Sequence, residues 1–433
     1  MRSYILNSAW ILFERMFTMA LLFFVLAIVA RHLGPDKFGT LSYVAAVSAI
    51  FGVIGQFGFE NVVVKDLVGH AEKQTEILGT SFALKFLTYS CASFAMVAYG
   101  FFAHQDNTER SLFVLSSIGL LITPFLVTHS WFNARVMARS TALAGIFGNI
   151  ISGASRLAFV VMSANIVLFA ASNLIQTFVS AAVSLRFFIA ANGPPLSSWR
   201  YSRNIAVKMM AESWTFFLGS LFSIIYLKMD VALLRWLSGP TEAGLYSVAT
   251  QISEAAYFVP GAILTSIFPA MIALRRSNQD RFNLRLQQIF DVMLLSSLGI
   301  MIPIIFIGAF SIPLIFGDVY GPASSILIVH VLAMPFIFMG TAFVRWIVVE
   351  KLTRFFLFSQ GAGIVVNGVL NLILIPILGG IGAAIATVIS YAIALYLILA
   401  FHPQTRPIFA MMSSSLFAPW AAARRAYALR LEL

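Results

Sequence analysis

Seven charged residues lie deep inside long apolar runs: Glu14, Arg15, Lys85, Arg156, Lys228, Asp230 and Glu254. A charge at the centre of a bilayer costs about 2.5–3.5 kcal/mol on insertion scales. It is kept where it faces a protein interior or a water-filled cavity, and there it can hold an ion or a charged ligand. Arg15 and Arg156 have no acid on their own helical face within four residues, and Arg156 has none in its whole apolar run. A planar guanidinium left open in this way suits a phosphate, because its fork binds two oxygens at once. The competing reading of Arg156 is a cross-helix salt bridge with an acid such as Glu254. Asp230 could pair with Lys228 or Arg235, although a spacing of two does not bring helical side chains face to face. Arg235, Arg345, Glu212 and Asp291 lie nearer the ends of their runs, where long side chains reach the interface as anchors.

Several deep charges share a polar stripe. Asn149, Ser152, Arg156 and Ser163 follow helical spacing, as do Tyr246, Thr250 and Glu254. Ser220, Ser223 and Asp230 form another stripe; Asn7, Glu14 and Thr18 a fourth; Gln360, Gly363, Asn367 and Asn371 a fifth. Interhelical hydrogen bonding that glues a bundle explains any one stripe as well as a transport path does. Stripes in both halves that also carry charge favour a polar cavity with Asn149, Asn367 and Asn371 on its walls. Glu14, Asp230 and Glu254 are the acids that could tune such a cavity or couple an ion.

Signals for an enzyme are weak. The six histidines are scattered without metal-ligand spacing, and no phosphate-binding glycine loop with its lysine is present. No metal and no tightly held cofactor is expected, and proton or sodium coupling stays open. The single cysteine, Cys91, cannot form an intrachain disulfide.

The elements that carry these residues follow from composition. Of 433 residues 60% are hydrophobic and only 10% charged, with a mean hydropathy of +0.91. A soluble chain is about 25% charged, so an all-α polytopic membrane protein is expected. A spanning helix needs about 20 apolar residues. Twelve spans are read at 8–30, 38–58, 78–102, 111–132, 141–162, 166–185, 209–237, 244–273, 287–316, 322–349, 355–377 and 381–401. With the N-terminus inside, 19 of the 28 Lys and Arg fall in cytoplasmic segments, three in external loops and six within spans. That asymmetry places both termini in the cytoplasm. It also accounts for most of the net charge of +11, so nucleic acid is not expected as a partner.

The longest cytoplasmic connection contains Gly193, Pro194 and Pro195 and divides six spans from six. The expected organisation is an N-terminal six-helix lobe over 1–190, a linker over 191–208, a C-terminal six-helix lobe over 209–402 and a cytoplasmic tail over 403–433. An internal repeat at an offset of 205 supports it. Gly34, Pro35 and Gly39 recur as Gly239, Pro240 and Gly244. These six read as structural turns between spans. Six spans per half make the lobes parallel repeats around a central cavity.

On these residues the chain resembles a Wzx-type O-antigen or polysaccharide flippase of the multidrug/oligosaccharidyl-lipid/polysaccharide exporter superfamily. The resemblance rests on Leu33-Gly34-Pro35-Asp36-Lys37-Phe38-Gly39, on Gly55-Gln56-Phe57-Gly58, on the second Gly239-Pro240 copy and on Gly379-Gly380-Ile381-Gly382-Ala383-Ala384. It implies transport of undecaprenyl-pyrophosphate-linked oligosaccharide from the cytoplasmic to the periplasmic leaflet of a bacterial inner membrane by alternating access. It implies no enzymatic activity. Membrane lipids, a polysaccharide polymerase and a chain-length regulator are the implied partners. Arg15, Lys85, Arg156 and Lys228 are where the resemblance places a cationic substrate path. A cation-coupled exporter of small molecules in the same superfamily is the alternative.

Overall fold

The structure, a computed structural model, describes the backbone of residues 2–430 and the side chains within it except those of 2–6, 8, 266, 268–270, 272, 273, 276, 309, 353 and 426–430. Arg2, Ser8, Arg276, Arg430 and the last three residues of the expected tail therefore lie outside the described set. Among the described residues the regular structure is helical throughout, with no strand. The helices are α1 (Arg2–Gln56), α2 (Phe59–Gly69), α3 (Gln74–Ala103), α4 (Asn107–Ile122), α5 (Val127–Ala134), α6 (Ala138–Val161), α7 (Ile166–Ala190) and α8 (Arg203–Leu237). They continue with α9 (Pro240–Glu254), α10 (Phe258–Ser277), α11 (Gln279–Phe316), α12 (Ala323–His330), α13 (Met334–Val349), α14 (Thr353–Leu395), α15 (Arg406–Phe417) and α16 (Pro419–Arg430).

Helix length decides the number of crossings. At 1.5 Å per residue a straight α1 would run about 80 Å, far beyond a hydrocarbon core of about 30 Å. It is bent at Gly34 (φ 72°, ψ 168°), and α14 is bent at Gly379 (φ 53°, ψ −132°). Each therefore supplies two spans. Single spans come from α3, α6, α7, α8 and α11, and from the pairs α4–α5, α9–α10 and α12–α13. The total is twelve among the described residues, in register with the windows read from hydropathy. Nine of the described stretches pass as single spans by length and composition: each bent helix counts once, and α9–α10 is not among them. Phe306, Phe310 and Leu314 recur at helical spacing on α11 and stand 68%, 83% and 78% exposed. Such a stripe suits hydrocarbon rather than water. The chain is a multi-pass membrane protein.

The Gly-Pro repeat has a backbone cause. Gly239 (φ 92°, ψ 177°) matches Gly34, and a built Cβ at either would meet nothing within 4 Å. Positive φ, rather than crowding, is what demands glycine. The proline that follows opens the next helix, where its missing N–H costs nothing.

The chain divides into two compact units, Met1–Lys228 and Met229–Leu433, and the division falls within α8. In the first unit α2 buries Phe59, Val62, Val63 and Leu67 in a cluster with Ile77, Leu78, Trp131, Phe132, Phe188 and Met209. The short helix between the second and third spans is thus part of the lobe's core. The segment after α7 lies on α3. Arg200 N–H donates to Thr75 O (3.3 Å), and Ser202 N–H to Thr80 Oγ1 (2.9 Å). In the second unit the residues after 403 form α15 and α16, whose Ile408, Met412 and Ala422 are buried. They are fastened to α11 by Arg425, whose Nε and Nη2 donate to Asp291 at 2.7 and 2.8 Å.

Candidate functional site

The first unit holds all four deep cations, in contrasting states. Lys85 on α3 is 5% exposed, and its Nζ lies 3.1 Å from Glu60 Oε2. Glu60, at the start of α2, also accepts from Ser130 Oγ (2.9 Å) and Asn133 Nδ2 (3.4 Å) on α5. Lys85 is therefore committed to joining α2, α3 and α5. Arg15 is exposed on α1. Arg156 is half-buried on α6 and donates to the neutral Asn173 Oδ1 on α7 at 2.6 Å. Among the described residues no carboxylate forms an ion pair with Arg15 or Arg156. Lys228 is half-buried on α8.

A polar ladder links α1, α6 and α7. Glu14 accepts from Thr18 Oγ1 (3.2 Å), and Thr18 accepts from Asn149 Nδ2 (3.0 Å). Asn149 Oδ1 accepts from Gln176 Nε2 (2.7 Å). Small residues let these helices approach so closely. A Cβ at Gly145 would stand 3.2 Å from Glu14 Oε1, and one at Gly148 would collide with Ser180 Oγ on α7. Ser152, one turn before Arg156 on α6, is buried with no hydrogen-bond partner for its Oγ. Ser163 leaves the expected stripe: α6 ends at Val161, and Ser163 takes a positive φ of 50° in the turn beyond.

The second unit holds a different site. Asp230 on α8 is 3% exposed. Its Oδ2 accepts from Tyr246 OH on α9 (2.6 Å) and Thr387 Oγ1 on α14 (2.5 Å). Its Oδ1 accepts from Asn371 Nδ2 on α14 (2.6 Å). The ion pairs of the described residues do not include Asp230, so neither Lys228 nor Arg235 serves it as the sequence allowed. Asn371 also donates to Asn367 Oδ1 (3.0 Å), and both amides are fully buried. Asn371 Oδ1 and Asn367 Nδ2 have no hydrogen-bond partner. Two carboxylate oxygens, two amide oxygens and two hydroxyls thus meet in a buried place with spare acceptor capacity. That donor set suits a proton or a hard monovalent cation, since oxygen ligands select hard ions. Behind it His330 Nδ1 bonds Ser253 Oγ (2.7 Å), and the His330 ring stands edge-on to Tyr246 (5.8 Å). Glu254, the last residue of α9, is half-buried.

The structure brings Asp230, Asn367 and Asn371 together, and Glu14 with Asn149. Lys85 is bound instead to Glu60. The sequence reading missed Glu60, Asn173, Gln176, His330 and Thr387 as members of these clusters. It also missed Glu242 in the second Gly-Pro motif, whose Oε2 accepts the Gly380 N–H at 2.7 Å and so caps the bend in α14. Spacing carries no signal for these, because each reaches its partners across helices distant in sequence.

Residues 5–275 match the model of a family described as polysaccharide biosynthesis protein. No curated protein matches the chain by sequence. Among solved structures the chain is similar to lipid II flippase MurJ in an inward closed conformation, with a TM-score of 0.72 and 16% identity over 96% of this chain and 92% of that one. It is also similar to an inward-facing conformation of a multidrug resistance MATE family transporter of the MOP superfamily, with a TM-score of 0.70 and 13% identity over 92% of this chain and 96% of that one. At such identities the likeness is one of fold, and it bears out the all-helical, multi-span fold read from the sequence.

Proposed function

Because the chain belongs to the polysaccharide biosynthesis protein family, we propose that it is a flippase for polyprenyl-pyrophosphate-linked oligosaccharide, an O-antigen or similar repeat unit. It moves this substrate from the cytoplasmic to the periplasmic leaflet of a bacterial inner membrane by alternating access, with both termini in the cytoplasm. It transports rather than catalyses. A polymerase and a chain-length regulator would take the product onward.

The observation that carries this reading is the pair of arginines, Arg15 and Arg156, that pair with no carboxylate among the described residues of a membrane-spanning lobe. An uncompensated guanidinium is expensive in a bilayer. It is retained where a ligand supplies the negative charge, and a pyrophosphate does so with oxygens spaced for its fork. The polar groups around Asn149 and Gln176 can solvate saccharide hydroxyls, while the polyprenyl tail stays in lipid. Lys228 adds positive charge on α8. The test is transport of the glycolipid in proteoliposomes: flipping that is equally fast after Arg15→Ala and Arg156→Ala together would sink the assignment.

The Asp230 cluster favours coupling to a proton or a sodium ion, and it supports the second reading, a cation-coupled exporter of small molecules. That reading predicts efflux of cationic compounds that Asp230→Asn abolishes. The glycolipid reading predicts no such efflux.

A further inference from the structure

We infer that Arg15 and Arg156 are two successive anion stations, each gripping the pyrophosphate in turn, and not one shared clamp. The inference rests on the glycolipid reading and adds an order of events to it.

The contacts between α1 and α6 fix their relative register. Glu14 lies against Gly145, Thr18 bonds Asn149, and Leu21 and Val25 lie against Gly153. Residue numbers rise together along both helices, so α1 and α6 are parallel. Arg15 is therefore level with position 146 of α6, and Arg156 stands ten residues farther along. At 1.5 Å per residue that is roughly 15 Å along the helix axis. Helical side chains all lean toward their own N-terminus. On parallel helices both arginines lean the same way, so leaning does not close the gap. Arg156 is moreover drawn toward α7 by Asn173. The two phosphates of a pyrophosphate share one bridging oxygen, and a single headgroup cannot be forked by guanidinia so far apart.

The surroundings separate the stations further. Arg15 is exposed and has Glu14 beside it, so an anion there binds an accessible site next to a negative charge. Arg156 is half-buried and carries no neighbouring acid in its span. Ser152, one turn before it, holds a buried hydroxyl with no partner, available to a phosphate oxygen that arrives there. The order of increasing grip runs from Arg15 to Arg156. With the N-terminus inside, that is the direction from the cytoplasmic to the external leaflet.

The experiment measures initial flipping rates of a fluorescent polyprenyl pyrophosphate against its concentration, with full-length protein in liposomes. A charge-assisted grip accounts for about a tenfold to hundredfold change. Arg15→Ala is expected to raise KM by about tenfold or more with kcat nearly kept. Arg156→Ala is expected to lower kcat by a similar factor with KM nearly kept, and the double variant to show both losses. Arg15→Lys and Arg156→Gln serve where an alanine variant does not fold, since one keeps the charge and the other the bond to Asn173. A shared clamp predicts instead that each single variant changes KM and kcat alike and that the double variant is no worse than either. That result overturns the two stations and leaves the flippase reading intact. Wild-type rates in the double variant overturn both.

Discussion

Lys85 offers the sharpest separation of a structural charge from a transport charge. Its Nζ lies 3.1 Å from Glu60 Oε2, with side-chain exposures of 6% and 30%. At an effective dielectric near 20 the gross attraction at that distance is about 5 kcal/mol. Desolvation offsets most of it, so the pair as a whole adds little. Removing one partner is another matter. In Lys85→Met the Glu60 carboxylate keeps only Ser130 and Asn133 as donors. Losing one partner of a buried pair costs about 3–5 kcal/mol. Because Glu60 is partly open to solvent, about 2–3 kcal/mol is the better expectation here. A domain of this size loses about 2–4 °C of Tm per kcal/mol, so Tm should fall by about 4–12 °C. Neutralising the partner as well, in Lys85→Met with Glu60→Gln, should restore most of that loss. The assay is thermal unfolding in detergent alongside flipping in liposomes. If the double variant regains Tm and still fails to transport, Lys85 grips the substrate and its assignment to the scaffold is wrong. Recovery of both places Lys85 among the residues that join α2, α3 and α5.

Three further outcomes follow from the geometry. Asp230→Asn keeps the size of the side chain and removes its charge; transport should lose its dependence on an imposed proton or sodium gradient while Tm holds or rises, as flux measured with and without each gradient will show. Arg425→Ala strands the fully buried Asp291 with only Ser415 and Gln287, at a cost of about 2–3 kcal/mol, and limited proteolysis should cut α15 and α16 sooner than in the wild type. Gly58→Ala places a Cβ 2.7 Å from the backbone of Ser213 and Phe217 at a residue with φ of 72°. Both strain and collision act there, so the yield of folded protein on size-exclusion chromatography should fall well below that of Gly34→Ala, where positive φ acts alone.

Some of this was legible in the sequence, for physical reasons. Spans announce themselves because hydrocarbon leaves a backbone no partner but its own helix. The bends at Gly34 and before Pro240 announce themselves because positive φ and a missing N–H each select one residue type. Deep charges stand out because they are costly. Their partners do not, since Glu60 sits just past an apolar run and reads as an interfacial anchor. The Asp230 site was half visible: Asn367 and Asn371 share a helical face, but Thr387 is one of many hydroxyls that glue membrane helices. The tail was not legible as part of the lobe. Its arginines read as topology signals, and only the fold shows Arg425 meeting Asp291 on α11.

The repeat sharpens what the two halves do differently. At the offset of 205, Arg15 stands opposite Ser220, and Asp230 stands opposite Val25. Equivalent places in the two lobes thus carry different chemistry. The N-terminal half keeps an arginine where the C-terminal half has a hydroxyl, and the C-terminal half keeps a carboxylate where the other packs a valine, 3% exposed, in an apolar cluster. A duplicated scaffold needs only its glycine and proline turns to fold the same way twice. It is free to place an anion grip in one lobe and a cation or proton site in the other. On the proposed reading the two sites are charged oppositely because the two ligands are. A variant that moves the carboxylate into the first lobe, Val25→Asp, should therefore weaken glycolipid transport. Val25 borders Gly153 on α6, three residues before Arg156, and the new acid would compete with the pyrophosphate for that guanidinium. Transport unaffected by Val25→Asp in a folded protein would refute the separation of charge between the lobes.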